Sequence, residues 1–232
     1  GSRNSWRPHD WGFLHSSTPA QRLLFLYPRG KVVGGSSAVN TCIALRGQPY
    51  DYDEWAATGL DDWSFDRVLP FFRKLEDDRV FGDAPYRGRG GPIPIRRHPP
   101  SERGPWQRAF VEAARSAGYP ACADTNDPNT RGGVGPHAMN KIDGRRMSAA
   151  RCYLGAETRA RANLRLRAST LVRRILFDEK KRVRGVEVEA NGVVETIATK
   201  KVALAAGALM TPGILLRSGI GPRDQLASLG VE

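Results

Sequence analysis

The chain has 232 residues, 40% of them hydrophobic and 26% charged, and its formal net charge is +12. That composition supports a core of one large or two small domains and excludes a disordered or collagen-like chain. The positive balance favours anionic partners, yet the basic residues fall in short groups such as Arg96-Arg97, Arg145-Arg146 and Lys180-Lys181-Arg182 rather than in one recognition run, so no nucleic acid is expected.

The first 26 residues are polar and aromatic with weak periodicity, and they read as loop that needs a partner. The apolar run at 23–26 lacks a cleavage pattern, and the longest apolar run, 202–210, is too short to cross a bilayer. The three cysteines and four histidines show neither CxxC nor ligand spacing, so no disulfide framework or metal site is expected. These features make a cytoplasmic location the expectation.

Residues 28–40 contain the turn Gly34-Gly35-Ser36-Ser37, flanked by Arg29 and Lys31. Such a turn permits positive φ and offers bare backbone N–H groups plus two hydroxyls, a nest for an anion or a polar ring edge; an ordinary glycine loop explains the spacing equally well. Ser64 precedes an apolar stripe at helical spacing (Phe65, Val68, Leu69, Phe72, Leu75), with Pro70 placed to kink or divide the helix. Glycine-rich loop follows at 87–92, and Pro92-Ile93-Pro94-Ile95 reads as a short edge strand. Ser101 is placed to cap a helix with Trp106 and Phe110 on one face and Gly118 at its end. Core packing is the expected role of Trp55, Trp63 and Trp106.

Residues 124–136 read as loop, and Ser148 caps a third helix. Strands are expected at 164–167, 170–177, 182–190 and 193–199, the last two joined by the hairpin dipeptide Asn191-Gly192. The small-apolar run at 202–206 fits a strand covered on both faces, leading through Gly207 into a helix at 211–218 with Pro212 in its first turn. The whole is a mixed α/β (α+β) chain. A helix following a buried strand attracts negative charge at its N-terminus, although a packed unit without ligand fits the pattern as well.

Taken together, two segments are specific. Residues 30–53, with Val39-Asn40, Ala44 and Gly47, and residues 207–221, with Gly207-Ala208, Thr211-Pro212, Ile214-Leu215 and Ser218-Gly219-Ile220-Gly221, resemble both signature motifs of the glucose–methanol–choline (GMC) oxidoreductase family. The intervening text resembles it too, at Asp51-Tyr52-Asp53-Glu54-Trp55, Leu69-Pro70-Phe71-Phe72 and Gly144-Arg145-Arg146-Met147-Ser148-Ala149-Ala150-Arg151. The likeness covers nearly the whole chain and is nearest to the choline dehydrogenase-like branch.

The resemblance implies a Rossmann-like FAD-binding domain with a β-meander, drawn from residues 1–91 and 163–232, and an antiparallel-sheet substrate domain from 92–162, each in part. It implies oxidation of an alcohol CH–OH to a carbonyl by hydride transfer to flavin N5. The partners implied are a small-molecule alcohol and oxygen or a quinone as electron acceptor. Arg29, Val33, Gly34, Gly35, Ser36, Ser37, Asn40, Thr41, Cys42 and Ile43 would lie along the flavin. Val172, Ala206 and Gly207 would meet its adenosine side. Val39 stands where some members carry a histidine that bonds FAD covalently, so dissociable FAD is expected. Cys42 and Cys152 are expected to be buried apolar thiols.

No G-x-G-x-x-G turn precedes Tyr27, and none of the four histidines matches the family's C-terminal catalytic motif. The chain therefore reads as the middle of an enzyme, with its base elsewhere. The alternative is an inactive remnant or a basic binding module without flavin.

Overall fold

The computed structural model describes residues 7–130 and 132–231. The opening residues 1–6 of the expected N-terminal loop and position 131 of the expected 124–136 loop lie outside the described residues. The chain forms two compact units, one ending at Leu164 and the other starting at Arg165.

Among its described residues the first unit holds three two-stranded sheets and five α-helices: β1 (Leu14–His15) with β2 (Phe25–Leu26), β3 (Glu76–Asp78) with β4 (Ile93–Ile95), β5 (Lys141–Ile142) with β6 (Arg145–Arg146), and α1 (Pro49–Ala57), α2 (Phe65–Leu75), α3 (Pro105–Ser116), α4 (Ala149–Tyr153) and α5 (Ala156–Arg159). Of these pairs only β3–β4 is parallel. The second unit is an antiparallel meander, β7 (Leu171–Phe177), β8 (Val183–Ala190) and β9 (Val193–Ala198), followed by α6 (Gly207–Arg217) and α7 (Arg223–Ser228). The mixed α/β class and the small antiparallel sheets agree with the sequence reading.

Helix α2 begins after Ser64, as its stripe predicts, but runs unbroken through Pro70. The proline removes one backbone bond, and aromatic packing holds the helix on both sides of it. The Tyr52 ring of α1 lies 6.1 Å from that of Phe65 and 5.7 Å from that of Phe72. Helix α1 itself is not anticipated by periodicity, because its signal lies in its start. Pro49 sits in its first turn, and the Gln48 N–H donates to the Asp51 carboxylate at 2.7 Å.

Helix α3 starts three residues later than expected. Ser101 lies in a 3₁₀ turn (Pro100–Glu102), and Gly104 is the cap, its N–H donating to Gln107 Oε1 at 2.8 Å. Proline at 105 pre-sets φ for the first helical position, which Ser101 could not do from outside the helix. The aromatic face does not enter a core: Trp106 is 88% and Phe110 69% exposed. Trp55 and Trp63 are half exposed and pack edge to face on one another, 5.9 Å apart. The core-packing expectation therefore fails for Trp106 and holds only partly for the other two. Of the two cysteines expected to be buried, Cys42 is buried and Cys152 only partly so; burial pushes the Cys152 thiol up.

The meander follows the expected strands, with Asn191 and Gly192 at φ 52° and 76° in its tight turn. Two expected strands are missing. Residues 164–167 and 202–206 carry strand-like patterns but join no ladder among the described residues. Leu166, Ala203 and Ala205 are exposed. Alternation marks a capacity for pairing, and a strand exists only where a neighbour accepts its N–H groups. Helix α6 starts at Gly207 rather than 211, which places Pro212 inside it. Thr211 Oγ1 accepts the Ala206 N–H at 3.1 Å and extends the helical start backward. No helix among the described residues is long and apolar enough to cross a membrane.

Candidate functional site

The glycine turn sits where the backbone folds back on itself. Gly34 and Gly35 have φ of 94° and 55°, and a 3₁₀ turn spans Gly35–Ala38. A Cβ on Gly30 would lie 2.4 Å from the Gly35 carbonyl oxygen, so only glycine allows the two passes of chain to touch. A Cβ on Gly34 would come within 3.0 Å of the Ala150 side chain, because α4 packs against this turn. Over Gly35 an added Cβ would meet nothing within 4 Å. The face of the turn at Gly35 is thus bare backbone.

Both hydroxyls take part in closing the turn, and Ser36 is at the same time exposed. Ser36 Oγ accepts the Gly30 N–H at 3.1 Å, and Ser37 Oγ accepts the Ala149 N–H at 2.9 Å while donating to the Gly34 carbonyl. The serines thus help to build the cradle: Ser37 both accepts and donates within it, whereas the Ser36 hydroxyl only accepts there. Arg29 places its guanidinium 3.8 Å from the centroid of the Tyr27 ring and donates to the Pro28 carbonyl at 2.7 Å.

Beyond the turn, Asn40, Thr41 and Ile43 are exposed while Cys42 between them is buried, and Val33 is half-buried. Residues 42–44 pair with 138–140: the Ala44 N–H donates to the Ala138 carbonyl at 2.8 Å and the Asn140 N–H to the Cys42 carbonyl at 2.9 Å. The arc 34–43 is thereby a continuous wall within the first unit, gathering eight of the residues singled out by sequence. Val172, Ala206 and Gly207 belong to the second unit. There Val172 pairs with Val188 on the edge of a bulge at Arg173, whose carbonyl accepts from Arg217 Nε at 2.7 Å. Ser218 Oγ accepts the Ile175 N–H at 2.8 Å and donates to the Ile214 carbonyl, which ties α6 to β7. Ala206 and Gly207 are exposed at the start of α6, Gly207 with φ 85°.

Sequence reasoning missed the ion cluster behind the wall. Arg87 is 1% and Asp78 0% exposed, and Glu76, Arg97 and Asp124 are also buried. Arg87 donates to both Asp124 oxygens, at 2.8 and 2.5 Å, and to Glu76 at 3.1 Å. Arg97 donates to both Asp78 oxygens, at 2.8 and 2.7 Å, and to Asp124 at 2.8 Å. Arg46 pairs with Glu76 and donates to the Tyr86 carbonyl at 2.5 Å. Three arginines meet three carboxylates. Asn126 connects this cluster to the wall: its N–H donates to Asp124 at 3.1 Å, its Nδ2 to the Ala44 carbonyl at 2.8 Å, and its Oδ1 accepts the Arg46 N–H at 2.9 Å. The charges are scattered between positions 46 and 124, so no local pattern announces them.

Burial alone would raise the Asp124 pKa, but hydrogen bonds from Arg87, Arg97 and the Asn126 amide outweigh it and hold the carboxyl below its ordinary value of 3.8. A carboxyl depressed on folding stabilises the fold above its unfolded pKa, and that stability is lost as pH falls through the folded value. Acid titration followed by fluorescence should show unfolding that begins below about pH 4. Asp124→Asn should remove this part of the acid dependence while lowering stability at neutral pH. An unchanged acid profile in the variant would contradict the assignment.

Residues 12–231 match the family described as GMC oxidoreductase. The chain belongs to the GMC oxidoreductase family. It is 40% identical over 232 residues to the oxygen-dependent choline dehydrogenase of Staphylococcus epidermidis (strain ATCC 35984), an alignment covering 97% of this chain and 40% of that protein. Among solved structures it is similar to pyridoxine 4-oxidase from Mesorbium loti (TM-score 0.88, 36% identity, 96% of this chain and 43% of the other). It is also similar to an FAD-dependent oxidoreductase from Chaetomium thermophilum (TM-score 0.82, 30% identity, 97% and 41%). The chain thus spans less than half the length of these GMC relatives.

Proposed function

We propose that this chain supplies part of the FAD-binding and substrate-facing body of an enzyme that oxidises the CH–OH group of a small alcohol to a carbonyl. The observation that carries the reading is the bare backbone face at Gly35. It has a left-handed φ and open space above it, and it continues into the exposed residues Asn40, Thr41 and Ile43. A planar, polar-edged ring needs such a surface, and a side chain at position 35 would obstruct it.

On this reading Arg29, Val33, Gly34, Gly35, Ser36, Ser37, Asn40, Thr41, Cys42 and Ile43 hold the flavin side of FAD. Val172, Ala206 and Gly207 hold the adenosine side. Residues 1–91 and 163–232 contribute to the FAD-binding domain and 92–162 to the substrate domain. When bound, FAD supplies the hydride acceptor at flavin N5. The protein's part is to fix the ring plane and to exclude water from one face of it. Val39 has no nucleophile, so FAD is held without a covalent bond. The names of the relatives, choline dehydrogenase and pyridoxine 4-oxidase, favour a small alcohol as substrate. The words oxygen-dependent and oxidase in those names favour oxygen as acceptor over a quinone.

The test is uptake of FAD by the purified chain. A stoichiometric yellow complex whose flavin is released by acid denaturation is the expected result. The same complex should lose its yellow absorbance on anaerobic addition of choline or another small alcohol if the chain carries enough of the active site. Failure to bind FAD at any concentration up to the millimolar range would sink the cofactor assignment for this chain.

A further inference from the structure

The wall is fastened from a distant part of the chain. We propose that Arg146 is a positioning residue that holds the arc 34–43 in its flavin-receiving shape, an inference that rests on the flavin reading above for its functional consequence. Arg146 lies on β6, at the end of a hairpin whose turn, Asp143-Gly144, has φ of 48° and 72°. That tight turn returns the chain so that the half-buried Arg146 reaches a segment 106 residues away in sequence. Its Nη1 donates to Asn40 Oδ1 at 2.6 Å and to the Ser37 carbonyl at 3.3 Å.

Asn40 Oδ1 is doubly used. It also accepts the N–H of Cys42 at 3.0 Å, and Cys42 is held at φ 62°, a left-handed conformation in a residue with a Cβ. Such a conformation is unfavourable in isolation and persists only where its surroundings over-determine it. The surroundings here form a closed circuit. The Cys42 carbonyl accepts the Asn140 N–H at 2.9 Å, Asn140 Nδ2 donates to the Met147 carbonyl at 2.8 Å, and the Met147 N–H donates to the Asn140 carbonyl at 2.9 Å. Met147 follows Arg146 directly. Remove the guanidinium, and Asn40 loses the charge that aims its oxygen toward Cys42. The backbone at 41–43 is then free to relax to negative φ, which turns its peptide groups away from the arrangement the wall presents. The sequence Gly144-Arg145-Arg146-Met147-Ser148 is family-like, but its spacing alone does not say what the arginine touches.

The experiment compares the purified chain with Arg146→Met and Arg146→Lys. Amide hydrogen exchange is followed without flavin, and FAD affinity is measured by fluorescence. In Arg146→Met the amides of residues 42–44 should exchange about tenfold faster, the scale of one charge-assisted hydrogen bond, while those of β3 and β4 keep their wild-type rates. FAD should bind about tenfold more weakly, with a shift in its visible absorbance band. Lysine retains one donor for Asn40 and should recover most of both effects. Unchanged exchange at 42–44 in Arg146→Met overturns the clamp. Faster exchange with unchanged FAD affinity overturns its role in shaping the flavin wall. A wild-type chain that takes up no FAD, while exchange responds as described, removes the flavin reading and leaves the clamp supported.

Discussion

Replacing Arg87 by methionine is expected to cost the first unit about 3–5 kcal/mol of folding stability, the scale for breaking a buried ion network by removing one partner. Arg87 is 1% exposed and donates to Asp124 and Glu76, with Asp78 3.3 Å from its Nε. Without it, three buried carboxylates face only Arg46 and Arg97. Burial by itself would lower the Arg87 pKa, but the Asp124 hydrogen bonds and the charge of Glu76 outweigh it and raise the value, so the group remains a cation throughout the working range. A like-for-like control exists on the meander, where Arg174 and Glu187 pair at 3.1 Å with the arginine 52% exposed. Arg174→Met should cost at most about 1 kcal/mol, because water screens the pair. Urea denaturation of both variants decides the matter. Equal losses in the two would mean that the buried cluster is no more important than a surface pair.

The second large effect is expected at the glycine turn, where two substitutions separate folding from ligand binding. Gly30→Ala puts a methyl 2.4 Å from the Gly35 oxygen and 2.5 Å from its carbon, both backbone atoms that cannot rotate away. The turn must open, with a stability loss of about 1–3 kcal/mol and loss of measurable FAD binding. Gly35→Ala meets nothing within 4 Å and pays only for its φ of 55°, about 1–2 kcal/mol. Its methyl nevertheless occupies the open face where the ring would lie. FAD affinity should fall by more than that stability loss accounts for, about a hundredfold or greater. Thermal unfolding and FAD titration on the same samples measure both terms. If Gly35→Ala binds FAD like the wild type, the bare face at Gly35 is not the contact.

Both predictions concern features legible to different degrees beforehand. The glycine turn is visible as Gly34-Gly35-Ser36-Ser37, because the need for positive φ restricts the residue type at the position itself. The part its serines play in closing the turn is not visible in sequence alone. Spacing shows that two hydroxyls are present, but whether they face a ligand or close the turn depends on Gly30 and Ala149 arriving beside them. The ion cluster is illegible for the same reason in stronger form, since Arg46, Glu76, Arg87, Arg97 and Asp124 share no period and read singly as surface charge.

The strands show the same division. The β7–β9 meander follows from alternation and the Asn191-Gly192 turn, both local, and each strand finds its partner within a few residues. Residues 164–167 and 202–206 carry patterns of equal quality and form no ladder among the described residues, because pairing requires a neighbour that a local pattern cannot supply.

By itself, then, the sequence determined the family, the mixed α/β class, the meander and the place of the glycine turn. These rest on motifs and on backbone preferences that act within a few residues. Tertiary structure alone decided which hydroxyls were already engaged, how Asn126 joins the buried charges to the wall, and that Arg146 reaches Asn40 across 106 positions. Those contacts depend on chain reversals bringing distant polar groups within about 3 Å, where each buried donor must find an acceptor.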